Sequence, residues 1–171
     1  KTGTGNYALY HGNLGVPENE QAAIFLIENV FNGIDVPFKI AGLNPSQKLE
    51  FLVAKHPHIS LYKNMSNEEM ERLIQNAHVH VLPTFQSTGI KLKLLNVLFN
   101  GRFCVANREM TENTGLEKFC HIANEGVGMQ AAIKELFKKE FTDEMAMKRK
   151  ALLEGFSNTQ NAKKLLHLIC Q

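Results

Sequence analysis

Short apolar or alternating runs recur along the chain, separated by longer stretches with apolar residues three and four apart. That rhythm predicts βαβ units and a parallel sheet. Tyr7–His11 reads as a first strand, ended by Gly12. Glu18–Asn32 follows as a helix whose apolar residues Ala22, Ala23, Ile24, Phe25, Leu26, Ile27, Val30 and Phe31 occupy most of its circumference. A helix so apolar is expected to lie buried between the sheet and a second layer. Phe38–Ala41 predicts a second strand, stopped by Gly42 and Pro45, and Ser46–Lys55 a second helix. Ile59–Tyr62 is a third strand. Ser66-Asn-Glu-Glu69 then has the form of a capping box, opening a helix with Met70, Leu73, Ile74 and Ala77 on one face. His78–Leu82 predicts a fourth strand closed by Pro83, and Ile90–Asn100 a helix ended by Gly101 as C-cap. Phe103–Ala106 and Cys120–Ala123 are the fifth and sixth strands. Val127–Lys139 and Thr142–Ile169 read as helical, the latter broken near Gly155-Phe-Ser157. The expected class is α/β, a doubly wound parallel sheet of about six strands flanked by helices. With no repeat or linker, residues 1–171 form a single domain, 1–6 frayed or vector-derived and 142–171 its C-terminal helices.

Composition adds little to the fold and narrows the partners. The 171 residues are 44% hydrophobic and 21% charged, which fits one globular domain and not a disordered chain. Lys plus Arg number 19 and Asp plus Glu 17, a formal charge of +2. So small an excess makes no case for nucleic acid or an anionic membrane as partner. No apolar run nears the roughly 20 residues of a membrane span, and Lys1–Asn6 lacks the apolar stretch of a signal peptide. A chain opening on Lys rather than Met is expected to be an excised fragment. Cys104, Cys120 and Cys170 are odd in number and show neither C-x-x-C spacing nor a Cys/His cluster. They read as buried or inert thiols of a cytoplasmic protein.

In a doubly wound sheet, ligands bind beyond the carboxyl ends of the strands. The loops Gly12–Pro17, Gly42–Pro45, Tyr62–Met65 and Pro83–Gly89 are therefore the places to look. Pro83-Thr-Phe-Gln-Ser-Thr-Gly89 leads straight into Ile90-Lys-Leu-Lys-Leu-Leu-Asn96. Small and hydroxyl residues at a helix N-terminus leave backbone N–H groups for an anion, which the helix dipole also favours. Lys91 and Lys93 oppose that dipole, a placement an anionic ligand would offset. The residues alone fit equally well with two solvated lysines on a plain turn. His11, beside Gly12, faces the expected crevice and can contact a phosphate. His78 and His80 share a strand face, but without a third ligand packing is the better reading, and no metal site is expected. Gly3-Thr-Gly5 precedes any strand and is no phosphate loop. The Lys138-Lys139 and Lys148-Arg-Lys150 groups alternate with acids, as a solvated helix surface does.

Pro83-Thr-Phe-Gln-Ser-Thr-Gly-Ile-Lys-Leu-Lys-Leu-Leu-Asn-Val-Leu-Phe-Asn-Gly101 resembles the signature segment of GT-B glycosyltransferases of family 4. In one branch that segment runs P-(x)n-G-(I/T)-K-x-K-x-L-E-A-(L/M)-A-x-G before a buried strand. Asn76-Ala-His-Val-His-Val-Leu-Pro83 is similar to the family's A-D-(V/I)-x-(V/L)-x-P strand, with His78 where Asp is common. Gly12-Asn-Leu falls on its first phosphate-side loop, Ile40-Ala-Gly42 on its second strand, and Ile59–Glu69 on its third-strand stretch. The resemblance spans residues 7 to 140, through spacing more than through any single motif.

What it implies is a Rossmann-like fold, one half of a GT-B enzyme, that binds a UDP- or GDP-sugar donor. A separate N-terminal half would hold the acceptor. The implied donor-binding residues are Gly12, Asn13, Tyr62, Asn64, Ser87, Thr88, Gly89, Ile90, Lys91 and Asn96, with His11 and Lys93 behind them. Tyr62 can stack on a base and Asn64 read its edge, although Tyr62 as a strand-end core residue is the slightly favoured reading. The family's E-x7-E pair falls on Thr88 and Asn96, so both carboxylates are absent. Asn96 can still bond a ribose, without charge assistance. The basic pair common around the first loop falls near Asn13 and Glu18 and is missing too. Lys91 is then the first cation for the pyrophosphate and Lys93 the second. The implied reaction is sugar transfer to an acceptor hydroxyl, with retention, in polysaccharide or surface-glycan assembly. No D-x-D motif and no cofactor are part of it, the donor being a substrate. The isolated chain is expected to bind nucleotide weakly and catalyse nothing measurable, and catalytic residues on the acceptor half lie outside it. A degenerate, non-catalytic nucleotide-binding domain is the alternative, and a sugar-nucleotide epimerase shares the fold. A signalling receiver does not fit, because strands ending Tyr10-His11-Gly12 and Leu61-Tyr62-Lys63 lack its acids.

Overall fold

A computed structural model of the chain describes residues 1–86 and 91–156. Six parallel strands form one sheet in the order β3-β2-β1-β4-β5-β6. They are β1 Ala8–Asn13, β2 Phe38–Leu43, β3 Ile59–Lys63, β4 Val79–Leu82, β5 Phe103–Ala106 and β6 His121–Ile122. The helices are α1 Pro17–Phe25, α2 Gln47–Ala54, α3 Asn67–Asn76, α4 Leu92–Asn100, α5 Arg108–Thr111, α6 Gly126–Leu136 and α7 Asp143–Leu153. The strand order reverses between β1 and β4, so the chain leaves these neighbours toward opposite sides and opens a crevice at their carboxyl ends.

Each expected strand and long helix is found, with shifted ends. The first helix continues beyond α1 through a π turn, Leu26–Val30, and a 3-10 turn, Phe31–Gly33. The wider turn helps bring Leu26, Ile27, Val30 and Phe31 all inside. Phe31 stacks on Phe38 with ring centroids 3.7 Å apart. The layer covering the outside of this helix is α6: a Cβ on Gly126 would stand 2.3 Å from Asn29 O. The Ser66–Glu69 capping box forms, with Ser66 Oγ accepting from Glu69 N at 3.2 Å and Glu69 Oε2 from Ser66 N at 2.8 Å.

One expectation needs correction. Residues 1–6 do not simply fray: Gly3 N donates to Phe141 O at 2.9 Å and Gly3 O accepts from Phe141 N at 3.2 Å, while Gly5 N donates to His78 Nδ1 at 3.0 Å. Gly101 closes α4 as the expected C-cap, at φ −93°. Its small size matters too, since a Cβ there would sit 2.3 Å from His80 Nε2. Short α5 and a 3-10 turn at Glu117–Phe119 lie between β5 and β6, where the sequence pattern predicts no element. The break near Gly155 holds as a 3-10 turn at Glu154–Phe156, and Ser157–Ile169 lie outside the described residues.

The buried polar side chains tie elements together through backbone oxygens. His78 Nε2 donates to Leu136 O at 2.9 Å, and His80 Nε2 meets Ile74 O at 3.1 Å. Arg102 donates to Gln75 O at 2.8 Å and Ala77 O at 2.9 Å, at the carboxyl end of α3. Arg149 donates to Gly101 O and Arg102 O, at the end of α4. Orphan carbonyls and the negative end of a helix dipole thus compensate both buried guanidiniums.

Candidate functional site

The floor of the crevice is a pair of glycines. Gly12 and Gly42 stand opposite each other at the ends of β1 and β2. A Cβ on Gly42 would lie 1.8 Å from Gly12 O, so the strands close up here only because Gly42 has no side chain. Above Gly12 lies Lys93, whose Nζ would be 2.9 Å from a Cβ built on that glycine. Lys93 reaches this point from the first turn of α4. Its Nζ donates to Asn19 Oδ1 at 2.9 Å and Tyr10 OH at 3.2 Å, and lies 4.5 Å from the Tyr10 ring centroid.

These partners are all neutral. Tyr10 is fully buried and its OH donates to Asn19 O at 3.0 Å. Asn19 is held in turn by Nδ2 donating to Asn13 O at 2.9 Å. Burial without a carboxylate partner pushes the Lys93 ammonium down from 10.5 to about 8. A half-buried cation whose hydrogen bonds leave its charge unmatched costs stability, and is suited to an anion that enters the crevice. Glu18, Asn19, Pro83, Thr84, Lys91, Lys93 and Met110 line a cleft of about 150 Å³ at this point. Its one carboxylate is engaged, with Gln86 Nε2 donating to Glu18 Oε1 at 2.6 Å.

The loop forming the far wall is fixed by a residue that sequence reasoning passed over. Asn107, buried at the end of β5, accepts from Thr84 N at 3.0 Å and donates to Thr84 O at 2.6 Å. The amide thereby copies a strand partner for one residue beyond β4. Lys91 Nζ donates to Gln86 O at 2.9 Å on the same loop, nearer the surface than Lys93. Asn19 and Asn107 were missed because each is an ordinary polar residue in sequence.

Of the residues expected to hold a donor, the structure gathers Gly12, Asn13, Lys91 and Lys93 around this cleft. His11 lies beneath them, 8% exposed, with its ring 6.4 Å from that of His80. Burial and the Lys93 charge push His11 down to about 3, so it is neutral. Neither His11 Nδ1 nor His80 Nδ1 has a hydrogen-bond partner among the described residues. Asn64 sits on the rim at the end of β3 with φ 53°, and Asn44 N approaches its Oδ1 at 3.4 Å. Tyr62 is half-buried, packed on the small core under α3 with Lys39 Nζ 5.1 Å from its ring centroid. Asn96 is not brought to Lys93. It is exposed on α4, accepts from Asn100 Nδ2 at 2.7 Å, and faces α3 across a groove also lined by Asn67, Met70 and Ile74. Ser87, Thr88, Gly89 and Ile90 lie outside the described residues. Among the described residues no helix is long and apolar enough to cross a membrane.

Comparison with known proteins bears on this geometry. Residues 5–139 match the family described as glycosyl transferases group 1. An uncharacterized 44.6 kDa protein in the cps region of Klebsiella pneumoniae is 26% identical over 117 residues, 63% of this chain and 30% of that protein. Among solved structures, an α,α-trehalose-phosphate synthase (UDP-forming) from Burkholderia xenovorans superposes with TM-score 0.61 at 13% identity. The match covers 86% of this chain and 39% of the synthase. The glycosyltransferase GlyE of Streptococcus pneumoniae TIGR4 gives TM-score 0.52 at 16% identity over 78% of this chain and 33% of its own. The chain thus spans about a third of the length of the proteins it matches.

Proposed function

The chain belongs to the group 1 glycosyl transferases, and from that premise we propose that it is the donor-binding part of an enzyme moving a sugar from a nucleotide diphosphate to an acceptor hydroxyl. Lys93 carries this reading: a half-buried ammonium bonded to neutral oxygens, at the crevice where the strand order reverses. As the glycosidic bond breaks, negative charge grows on the nucleoside diphosphate, and a cation already in place stabilises that charge without reorganising. In this reading Lys93 meets the diphosphate from below and Lys91 from the loop side. Asn64 and Tyr62 border the base. Retention of configuration, a reaction needing neither metal nor cofactor, a cytoplasmic site of action and an acceptor-binding part elsewhere in a longer protein complete the proposal. The relative in a cps region supports surface polysaccharide as the product. A UDP-forming neighbour in structure makes UDP the first nucleotide to try, with GDP second.

Titration of the chain with UDP, GDP, ADP and CMP in a thermal-shift assay tests this. A nucleotide at about 100 times its Kd adds roughly 2.7 kcal/mol, a shift of several degrees at this size. A shift with one diphosphate supports the donor site. No shift with any of them favours the degenerate domain that loss of carboxylates at Thr88 and Asn96 suggests.

The pH dependence of binding is a second expected result. Lys93, lowered to about 8, is charged below that pH and loses its proton as pH rises through it. A bound diphosphate favours the charged form, so affinity holds steady below about pH 8 and weakens by up to about tenfold per pH unit above it. Calorimetric titration with UDP from about pH 7 to about pH 10 reads this directly. A flat Kd over that window removes Lys93 from the diphosphate site.

A further inference from the structure

The geometry points to Cys104 and Cys120 as a thiol–disulfide exchange site, in which Cys120 is modified by a low-molecular-weight disulfide and Cys104 resolves it into an internal disulfide. β5 and β6 are parallel, with Val105 opposite His121 and Ala106 opposite Ile122. One step back along that register, Cys104 stands beside Cys120, directed to the same face of the sheet. Neighbouring strands are about 4.8 Å apart, within the Cα separation of roughly 4.4–6.8 Å that a disulfide spans. Both are free thiols, Cys104 buried and Cys120 partly exposed, and both pack in the main core.

Their surroundings assign the roles. A hydrogen bond with the Cys120 side chain, followed by burial, pushes the Cys104 thiol well up, so it is a poor first nucleophile. Cys120 has the access that first attack requires. The Arg149 guanidinium interacts electrostatically with both sulfurs.

The exchange balances without a further oxidant. Cys120 thiolate attacks one sulfur of RSSR, the S–S bond breaks, and the leaving RS⁻ takes up the proton Cys120 released. Cys104 then attacks the Cys120 sulfur of the mixed disulfide, and the second RS⁻ leaves with the Cys104 proton. Two protein thiols are oxidised to one disulfide, and one RSSR is reduced to two RSH.

The test uses the full chain carrying Cys170→Ser, which removes the third thiol and leaves both core cysteines native. Incubated with excess oxidised glutathione under native conditions, it is expected to lose about two mass units with no adduct. Peptide mapping then links Cys104 to Cys120. Adding Cys104→Ser is expected to leave a glutathione adduct on Cys120. A stable adduct on the Cys170→Ser protein itself, or two thiols still alkylated after subsequent unfolding, overturns the proposal. Nucleotide binding plays no part in the readout, so the donor reading stands or falls separately.

Discussion

Lys93→Met is expected to make the protein more stable and, in the same step, unable to bind a nucleoside diphosphate. The ammonium is half-buried between Tyr10 and Asn19, with bonds of 3.2 and 2.9 Å to neutral oxygens. Its fall from 10.5 to about 8 corresponds to about 3 kcal/mol of native-state penalty at neutral pH. The sign follows from proton counting. Between about pH 8 and 10.5 the unfolded chain holds more protons at this lysine than the native one, so wild-type stability from this group rises with pH across that window. Below pH 8 the penalty is present in full. Methionine fills nearly the same volume without charge, so a gain on the order of 1–3 kcal/mol is expected at pH 7, shrinking toward pH 10. Urea unfolding at the two pH values measures it, and a UDP titration by thermal shift reads the loss of binding. A variant that is destabilised and still binds would make Lys93 a structural residue.

The second large effect is on the fold. Gly42→Ala is expected to cost about 3 kcal/mol or more, because the new methyl would meet Gly12 O at 1.8 Å and Leu14 Cγ at 2.9 Å. The nearest obstacle is backbone in a buried parallel sheet, which cannot swing aside as a side chain can. β1 and β2 must separate at the floor of the crevice, so donor binding is expected to fall with stability. Gly128→Ala is the contrast. It lies within α6, where the nearest atom to a new Cβ is Ala123 Cβ at 3.5 Å. Alanine there is expected to gain roughly 0.5–1 kcal/mol from helix propensity. Denaturant midpoints of both variants decide the matter. Equal effects would mean that the Gly12–Gly42 approach is not a tight constraint.

Much of the fold was legible because its signals are local. Apolar Phe103–Ala106 reads as a buried strand and is one; Ser66 and Glu69 announce a capping box and form it. Misreadings fell where a residue's role depends on a distant partner. Gly101 read as a C-cap and is one, yet the reason it must be glycine is His80, far from it in sequence. The first residues looked frayed, yet Phe141, far along the chain, gives Gly3 a bridge. At the site, Lys91 read as the first cation and Lys93 as the second. In the fold Lys93 is the one at the crevice floor, while Leu92 beside it is 66% exposed. The hydrophobic pattern inverts for that single turn, a local disagreement of the kind functional positions produce.

By itself, then, the sequence determined the alternation of strands and helices, the parallel sheet they build, the crevice at its carboxyl ends and the family resemblance. The first three follow from periodicity, breakers and spacing over a few residues, and the resemblance from the segment Asn76–Gly101. Only the tertiary structure decided which side chains meet in that crevice. Lys93 finds Asn19 and Tyr10 from 74 and 83 residues away. It also placed Asn96 on another face and set Asn107 as the clamp on Thr84. The reason is geometric: a charge's burial and partners are set by which turn of one helix faces which strand end, and no short stretch of chain encodes that meeting.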